Sequence, residues 1–269
     1  MVIDFHIHMS DPKLMAKAPP PPSDGPKMAM PKGPVPKTPE EVKKNLQEMG
    51  ISHAVVQHMS IRPGGTKEIN EFAKELYKNY DGFFFQYGGF HPDDDPDDLK
   101  ELKESGAFQG IKLHPYLQRF VIDDPKMYPA YEMMSSLGLP VLFHTGRDFS
   151  DPSLRNAFPE KILKIHKDFP KLQIVASHLG AFCMYDEAEE MMAGQDLFID
   201  VTASVTFCKD PEQYKRIVLK HDPDKILFGS DYAMGDPAKE LEYLQSLNLS
   251  SDLMDKILYQ NAQRLLGIK

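Results

Sequence analysis

The chain has 269 residues, of which 41% are hydrophobic and 26% charged, and its formal net charge is −9 at pH 7. This composition is typical of a globular protein and argues against a nucleic-acid binder, which would present a basic surface to phosphates. Two cysteines, Cys183 and Cys208, are too few for a disulfide framework. The sequence shows neither a basic and apolar leader nor an apolar run of the ~20 residues that cross a bilayer. We therefore expect a cytoplasmic protein whose partners are small molecules rather than nucleic acids or membranes.

Eight short β-branched or aromatic runs alternate with longer amphipathic segments. The runs are 2–8, 53–58, 83–90, 108–114, 139–144, 172–178, 197–203 and 225–231. Helical spacing of apolar residues is found in 39–50, 65–80, 153–169 and 210–221. This alternation predicts parallel strands joined by helical crossovers, and the length fits one α/β domain over 1–269, a (β/α)8 TIM barrel. An open, doubly wound sheet is the alternative, although the Gly-rich turn that usually marks it is not found in the sequence.

One segment, 11–39, breaks this rhythm because it is crowded with Pro, Lys and Met. Proline disfavours both helix and sheet, so we expect a long loop here. The loop follows the first strand, on the side where barrel enzymes build their active sites. Two interpretations stand equally: a disordered surface loop and a lid over the pocket.

Four histidines and one aspartate lie at the ends of predicted strands: His6, His8, His144, His178 and Asp231. Side chains alternate along a strand, so His6 and His8 are predicted to share one face. The carboxyl ends of all eight barrel strands meet at one rim, which places the five residues together. Any one of these histidines alone is more simply a buried, hydrogen-bonded core residue. Neutral imidazoles beside a carboxylate suit zinc, or manganese, iron or cobalt, so the whole set predicts a divalent metal site.

The motifs HIH, GIKLHP, LFHTG, ASHLG, FGSDYAM and NAQRLLGI follow one another in this order. The chain thereby resembles the amidohydrolase superfamily, specifically the amidohydrolase-2 group that includes the aminocarboxymuconate-semialdehyde decarboxylase-like proteins. The resemblance implies a distorted (β/α)8 barrel with a divalent metal, expected to be zinc. It also implies that His6, His8, His144 and Asp231 are metal ligands. The remaining histidine, His178, either acts on water or holds a second metal in binuclear members.

Lys112 has two interpretations within this resemblance. Binuclear relatives often carry a carboxylated lysine on strand four that bridges two metals. An unmodified Lys112 would instead pair with a carboxylate of the protein or bind an acidic group of the substrate. One metal is expected, with two as the alternative. The residues that follow predicted strand ends are the candidates for substrate binding, and with Lys112 they are His114, Arg62, His91, Arg119 and Arg147. Because guanidinium groups hold carboxylates in a bidentate way, we expect an acidic substrate. Four aromatic residues in loops after strands are predicted to line the pocket and suit a small aromatic or conjugated ligand: Tyr116, Phe149, Tyr185 and Phe207.

The predicted function is metal-dependent hydrolysis of an amide, ester or lactone by a metal-activated water, with Asp231 and His178 as catalytic residues that move the proton. The alternative at the same site is a metal-dependent, non-oxidative decarboxylase of a small carboxylic acid. A non-catalytic barrel that binds a metal or a metabolite is the third interpretation. Dimers are common among the proteins that the chain resembles, so a homodimer is a further expectation.

Overall fold

The computed structural model describes residues 1–9, 11, 38–80, 82–149 and 151–268. Its strands are β1 (Ile3–Ile7), β2 (His53–Gln57), β3 (Phe84–Gly89), β4 (Phe108–Leu113), β5 (Val141–Phe143), β6 (Ile174–Ala176), β7 (Phe198–Asp200) and β8 (Ile226–Leu227). They form one parallel sheet in chain order. The last strand returns to the first, because the Phe5 N–H donates to the Phe228 carbonyl at 2.8 Å. The predicted (β/α)8 barrel is confirmed.

Helices follow the strands on the outside of the barrel. They are α1 (Pro39–Glu48), α2 (Thr66–Asn79), α3 (Asp98–Glu104), α4 (Tyr128–Leu137), α5 (Pro159–Asp168), α6 (Tyr185–Glu187), α7 (Ser204–Phe207), α8 (Pro211–Lys220), α9 (Pro237–Ser246), α10 (Ser251–Asp255) and α11 (Asn261–Leu266). Several begin with a capping side chain followed by proline: Thr38 accepts from the Glu41 N–H at 3.2 Å, and Asp210 accepts from the Glu212 N–H at 3.0 Å. A proline in the first turn costs no hydrogen bond, so these sequences start helices sharply.

The helix predicted over 153–169 is shorter at its start, because α5 begins at Pro159. The residues before Pro159 form a loop instead. The Ala157 carbonyl accepts from the Gly146 N–H at 2.8 Å, and the Asn156 carbonyl accepts from the Ile122 N–H at 3.0 Å. These contacts hold the chain after β5 against the carboxyl-terminal rim of the barrel.

Apolar side chains fill the barrel on both sides of its wall. The larger cluster lies between the strands and the surrounding helices. A smaller one fills the interior and comprises Ile3, Phe5, Val55, Phe85, Tyr87, Leu142, Val175, Phe198 and Leu227, with Ala262 and Leu266 from α11. This packed interior supports the rim without leaving a pore.

β1 contains an irregularity directly below the predicted metal ligands. Between its pairings at Asp4 and Ile7, β1 holds one residue more than β2, which is a β-bulge. Consecutive residues therefore both face the interior: Phe5 packs in the interior cluster, and His6 reaches the side chain of Lys112. The bulge aims His6 at the site without removing Phe5 from the core.

The loop or lid predicted for 11–39 lies outside the described residues, except for Asp11, Thr38 and Pro39. Within the ranges given above, no helix has both the length and the apolar character needed to cross a membrane.

Candidate metal centre at the carboxyl-terminal rim

Five imidazoles form a continuous row, here called the histidine row, across the rim of the barrel. In order they are His8, His6, His178, His144 and His114, with successive ring centroids 5.1, 5.5, 4.8 and 4.4 Å apart. The last two rings are stacked, with an interplanar angle of 13°. The structure thus brings together the four histidines that the strand ends predict for the rim and adds His114, which was assigned to substrate binding.

Asp231 stands at the first end of the row. Its Oδ1 lies 3.2 Å from His8 Nε2 and 3.8 Å from His6 Nε2. The opposite nitrogens face acceptors: His6 Nδ1 is 2.8 Å from Asp200 Oδ2, and His8 Nδ1 is 3.1 Å from the Gln57 carbonyl. Each Nδ1 therefore carries the proton, and both Nε2 atoms present lone pairs on the side of Asp231. The His6 Nε2 lone pair also lies 3.1 Å from Lys112 Nζ, which can donate to it. Two imidazole lone pairs and a carboxylate oxygen, with ligand atoms all within 4.8 Å of one another, fit a divalent cation.

The middle of the row contains a second pair of nitrogen donors, His144 Nδ1 and His178 Nε2, 3.1 Å apart. His144 Nε2 donates to the Arg147 carbonyl at 2.9 Å. His178 Nδ1 lies 2.9 Å from the Thr202 hydroxyl, which donates its own proton to Asp200 and must accept from His178. Both facing nitrogens therefore carry lone pairs. Such a contact is favourable only when a proton or a cation lies close to both, so this pair also fits a metal.

The far end of the row has its own carboxylate, Asp148. Its Oδ2 lies 3.4 Å from His144 Nε2 and 3.7 Å from His114 Nε2, and these three residues form a second group that could hold a cation. Because His144 Nε2 donates to a backbone carbonyl, this group offers fewer lone pairs than the group at Asp231. Asp148 was not among the residues predicted from the sequence, although its position four residues after His144 in the same loop was a usable signal.

Burial keeps the imidazoles of His6 and His178 neutral. It lowers the pKa of His6 to about 4, with a further contribution from Lys112. It lowers the pKa of His178 to about 3, assisted by His144. Although burial alone would raise the pKa of Asp231, contacts with His8 and His6 hold that pKa well below its usual range. At neutral pH His6 and His178 thus offer unprotonated nitrogens beside an ionised carboxylate.

Two site residues have strained backbone conformations. His178 and Asp231 have φ angles of 61° and 63°, in the left-handed region that costs a residue other than glycine about 1–3 kcal/mol. Hydrogen bonds from their own N–H groups hold them there, to Asp200 Oδ1 and to the His6 carbonyl, each at 2.8 Å. Gly229 precedes the second of these turns, and a Cβ at Gly229 would lie 2.9 Å from His6 Cβ. The close approach of β8 to β1 therefore requires glycine.

Two further candidates for substrate binding, Lys112 and His91, are buried at strand ends. Lys112 Nζ lies 3.1 Å from His6 Nε2, which places it beside the histidine row. Burial lowers the pKa of Lys112 to about 8, against the opposing charges of nearby aspartates. His91 Nδ1 accepts from the Asp93 N–H at 3.1 Å.

The three arginines predicted to bind substrate are all exposed. Arg62 donates to Glu68 at 3.1 Å, and Arg119 adopts a φ angle of 56°. The guanidinium of Arg147 lies 5.6 Å from the ring centre of Phe158. Of the three, Arg147 is in the loop that also carries His144 and is therefore the one nearest to the row in sequence.

An aromatic wall, formed by Phe149, Phe182 and Phe207, adjoins the middle of the row. The ring of Phe182 is 5.0 Å from His178 and 5.8 Å from His144. Phe149 and Phe207 pack on Phe182 at 5.3 and 4.8 Å. Because Phe149 is 47% exposed, an apolar surface reaches from the row to solvent. Phe182, which follows the ASHLG motif in the loop after β6, was not predicted from the sequence.

A (β/α)8 barrel that gathers imidazoles and carboxylates at its carboxyl-terminal rim belongs to the class of barrel enzymes with a candidate metal centre. The sequence model of one such family, Amidohydrolase (Amidohydro_2), matches residues 3–268. The chain therefore belongs to the amidohydrolase family, which confirms the resemblance found in its motifs.

Comparison with individual proteins gives one partial sequence match and several matches of fold. Dihydroorotase from Yersinia pseudotuberculosis serotype O:1b (strain IP 31758) is 34% identical over 111 residues, which cover 36% of this chain and 30% of that enzyme. The structure of 5-carboxyvanillate decarboxylase from Sphingomonas paucimobilis matches with a TM-score of 0.72 and 14% identity, covering 100% of this chain and 99% of that one. The corresponding decarboxylase from Novosphingobium aromaticivorans DSM 12444, complexed with manganese and 4-hydroxy-3-methoxy-5-nitrobenzoic acid, matches with a TM-score of 0.70 and 13% identity, covering 100% of this chain and 96% of that one. At these identities the structural matches establish the fold alone.

Proposed function

We propose that the chain is a metal-dependent hydrolase of an amide, ester or lactone in a small acidic or cyclic metabolite. One observation carries the proposal: the Nε2 lone pairs of His6 and His8 converge with Asp231 while both Nδ1 protons are bonded elsewhere. Lone pairs beside a carboxylate are stable when a cation or donor is close to them. Lys112 Nζ serves His6 Nε2 in this way at 3.1 Å, and a metal ion would serve His6, His8 and Asp231 together. Zinc is the metal we expect for these nitrogen and oxygen donors.

The number of metals is part of the proposal. One metal would be held by His6, His8, Asp231 and His144, with His178 left to handle a proton. A second metal would use His144 and His178, with a carboxylated Lys112 as the bridge. The contact of 3.1 Å between the two facing nitrogens of His144 and His178 supports the two-metal alternative. Metal analysis of the purified chain distinguishes the two arrangements, because the first predicts about one metal ion per chain and the second about two.

When bound, a divalent metal activates water near neutral pH and polarises a carbonyl oxygen. Asp231 is ionised, so its carboxylate oxygen accepts the proton of the attacking water and returns it to the leaving group. Neutral His178 donates its Nδ1 proton to the Thr202 hydroxyl oxygen and presents Nε2 as a hydrogen-bond acceptor that orients the water. Both residues are held in place by backbone hydrogen bonds, so the proton acceptors need little reorganisation.

The substrate contacts are proposed from position and charge. Lys112 and His114 are buried beside or within the histidine row and would contact the part of the substrate nearest the metal. Arg147, which follows His144 in the same loop, would bind a carboxylate at the mouth of the site. Arg62, His91 and Arg119 are proposed for the outer loops. The aromatic wall would pack against an apolar face of the substrate.

A decarboxylase is the second candidate, and the aromatic wall is the observation that favours it. Phe182 lies against His178 and His144, where a planar ring could stack beside the row. In this reaction a carbon of the substrate takes up a proton from water held by His178, the bond to the carboxylate breaks, and carbon dioxide leaves. Two of the proteins with matching folds are 5-carboxyvanillate decarboxylases.

The test compares the zinc-reconstituted chain with the same chain stripped of metal, each incubated with a broad mixture of carboxylated metabolites and read by mass spectrometry. We expect products that have gained water, formed only in the presence of zinc. Products that have lost carbon dioxide would instead establish the decarboxylase. If the zinc-reconstituted chain holds zinc and still changes no component of the mixture, the third interpretation, a non-catalytic barrel, replaces both reactions.

A further inference from the structure

Asp200, the last residue of β7, is buried against His6 and His178 of the histidine row. It has no role in the proposed reaction. Its Oδ2 accepts from His6 Nδ1 at 2.8 Å. Its Oδ1 accepts from the His178 backbone N–H at 2.8 Å and from the Thr202 hydroxyl. One carboxylate thus contacts residues from β1, from the end of β6 and from its own strand.

The contact with His6 determines which nitrogen of that ring is protonated. An ionised carboxylate only accepts hydrogen bonds, so the His6 proton lies on Nδ1. The lone pair is left on Nε2, the atom that faces Asp231 at 3.8 Å. If the proton moved to Nε2, the ring could no longer serve as a metal ligand at that position.

The contact with His178 acts through Thr202. The Thr202 hydroxyl has one proton, and it donates that proton to Asp200. The same oxygen can then only accept from His178 Nδ1, 2.9 Å away. The Thr202 backbone carbonyl is a second, more distant acceptor of this nitrogen at 3.3 Å. The His178 lone pair is left on Nε2, the atom that faces His144. Asp200 therefore determines the tautomers of two rings in different parts of the row.

We propose that Asp200 is a positioning residue that holds His6 and His178 in the Nδ1-protonated form, directly for His6 and through Thr202 for His178. By this arrangement one carboxylate prepares donors in both halves of the histidine row. The inference rests on the proposed function in that the prepared nitrogens serve a metal, but the tautomers themselves do not depend on a metal.

The Asp200→Asn variant tests the direct arm. Its amide oxygen can keep the contacts with the His178 N–H and the Thr202 hydroxyl, which leaves the amide NH2 facing His6 Nδ1. Two donors would then oppose each other at Nδ1, which favours a proton on Nε2 and loss of the lone pair there. Lys112 Nζ, 3.1 Å from Nε2, must then give up a proton or turn away. The Thr202→Val variant tests the other arm, because it removes the hydroxyl that accepts from His178 and leaves the contact between Asp200 and His6 intact.

The measurement is long-range 1H–15N NMR of the full chain labelled with 15N-histidine, with and without zinc. The resonances are assigned with His6→Gln and His178→Gln. We expect Nδ1-protonated His6 and His178 in the wild type, Nε2-protonated His6 in Asp200→Asn, and a change confined to His178 in Thr202→Val. Asp196→Asn, which replaces an exposed aspartate four positions earlier, is the matched control and should leave both rings unchanged.

Zinc affinity, measured by competition with a chromophoric chelator, gives the second readout. Loss of an outer partner of a metal-binding histidine typically lowers affinity roughly 10–100-fold, so we expect that change in Asp200→Asn. The inference is overturned if His6 stays Nδ1-protonated in Asp200→Asn, or if Thr202→Val shifts His6 as strongly as His178. If neither the wild type nor any variant binds zinc, the proposed function fails. The role of Asp200 is then still decided by the tautomers measured in the metal-free chain.

Discussion

The two ends of the histidine row are built from different parts of the barrel. At the Asp231 end, His6 and His8 are oriented by groups on other strands, the Asp200 carboxylate of β7 and the Gln57 carbonyl of β2. At the other end, His144 is oriented by the Arg147 carbonyl, in the loop after β5. Strands in a closed sheet are rigid, whereas loops vary in length and sequence with little cost to the fold. The comparison indicates that the first end is the pre-organised cation site and the second is the part adapted to a particular reaction.

The largest effect is expected at the pre-organised end, in His8→Ala. Loss of a residue that hydrogen-bonds to a metal ligand lowers metal affinity by up to about 100-fold. Removal of the ligand itself should lower zinc affinity by more than that. Zinc content after gel filtration and competition titration measure it. His166→Gln, which alters a histidine in α5 away from the row, is the control and should keep wild-type affinity. Wild-type zinc binding in His8→Ala would show that the cation site lies elsewhere.

In the middle of the row, His178→Ala should separate binding from turnover. If His178 handles a proton rather than a metal, zinc content stays near one per chain while kcat falls by roughly 10²–10⁴-fold, the usual contribution of a proton-transfer residue. Steady-state kinetics on the substrate found by mass spectrometry, together with metal analysis, measure the two quantities. A parallel loss of zinc would make His178 a ligand and support the two-metal arrangement.

The rigidity of the pre-organised end extends to His58, which follows β2. His58 is buried and its Nε2 donates to Gln86 Oε1 at 2.7 Å, and burial lowers the pKa of His58 from 6.5 to about 4. Between these two pH values the unfolded chain binds a proton that the folded chain does not, so stability falls as the pH falls. The linked loss of unfolding free energy is about 3 kcal/mol on going from neutral pH to pH 4.

Urea unfolding at pH 7 and pH 5 checks this expectation against His58→Gln, which keeps an amide donor for Gln86 and removes the titration. The variant should lose less unfolding free energy than the wild type over the same pH change. Equal losses in the two proteins would mean that His58 is not held neutral by burial.

The smallest effect is expected at the loop end, in Asp148→Asn. The Asp148 carboxylate is 3.4 and 3.7 Å from the nearest imidazole nitrogens, beyond the range of a good hydrogen bond. Zinc affinity should therefore change by less than about tenfold, which is less than the usual effect of removing a residue hydrogen-bonded to a metal ligand. The same competition titration, with Asp200→Asn alongside, measures it. A larger loss in Asp148→Asn than in Asp200→Asn would reverse the comparison between the two ends.

Sequence alone was sufficient for the barrel and for the residues at its rim. Alternating strands and helices leave few topologies, and in a closed parallel barrel every strand ends at the same rim. Any polar residue at a strand end therefore has a predictable position, as His6, His144 and Asp231 have. The same rule gives no information about loops, which is why Asp148 and Phe182 were missed.

Only the tertiary structure revealed how the row is held. The partner of His6 is Asp200, 194 residues away in sequence, and no local pattern connects them. The bulge in β1 likewise depends on pairing with β2, and it turns two consecutive side chains, Phe5 and His6, towards the interior. Local periodicity determines which residues reach the rim, because backbone geometry repeats along each strand. Contacts across the barrel determine which nitrogen of each imidazole is unprotonated, because the ring proton lies on the nitrogen that faces a hydrogen-bond acceptor.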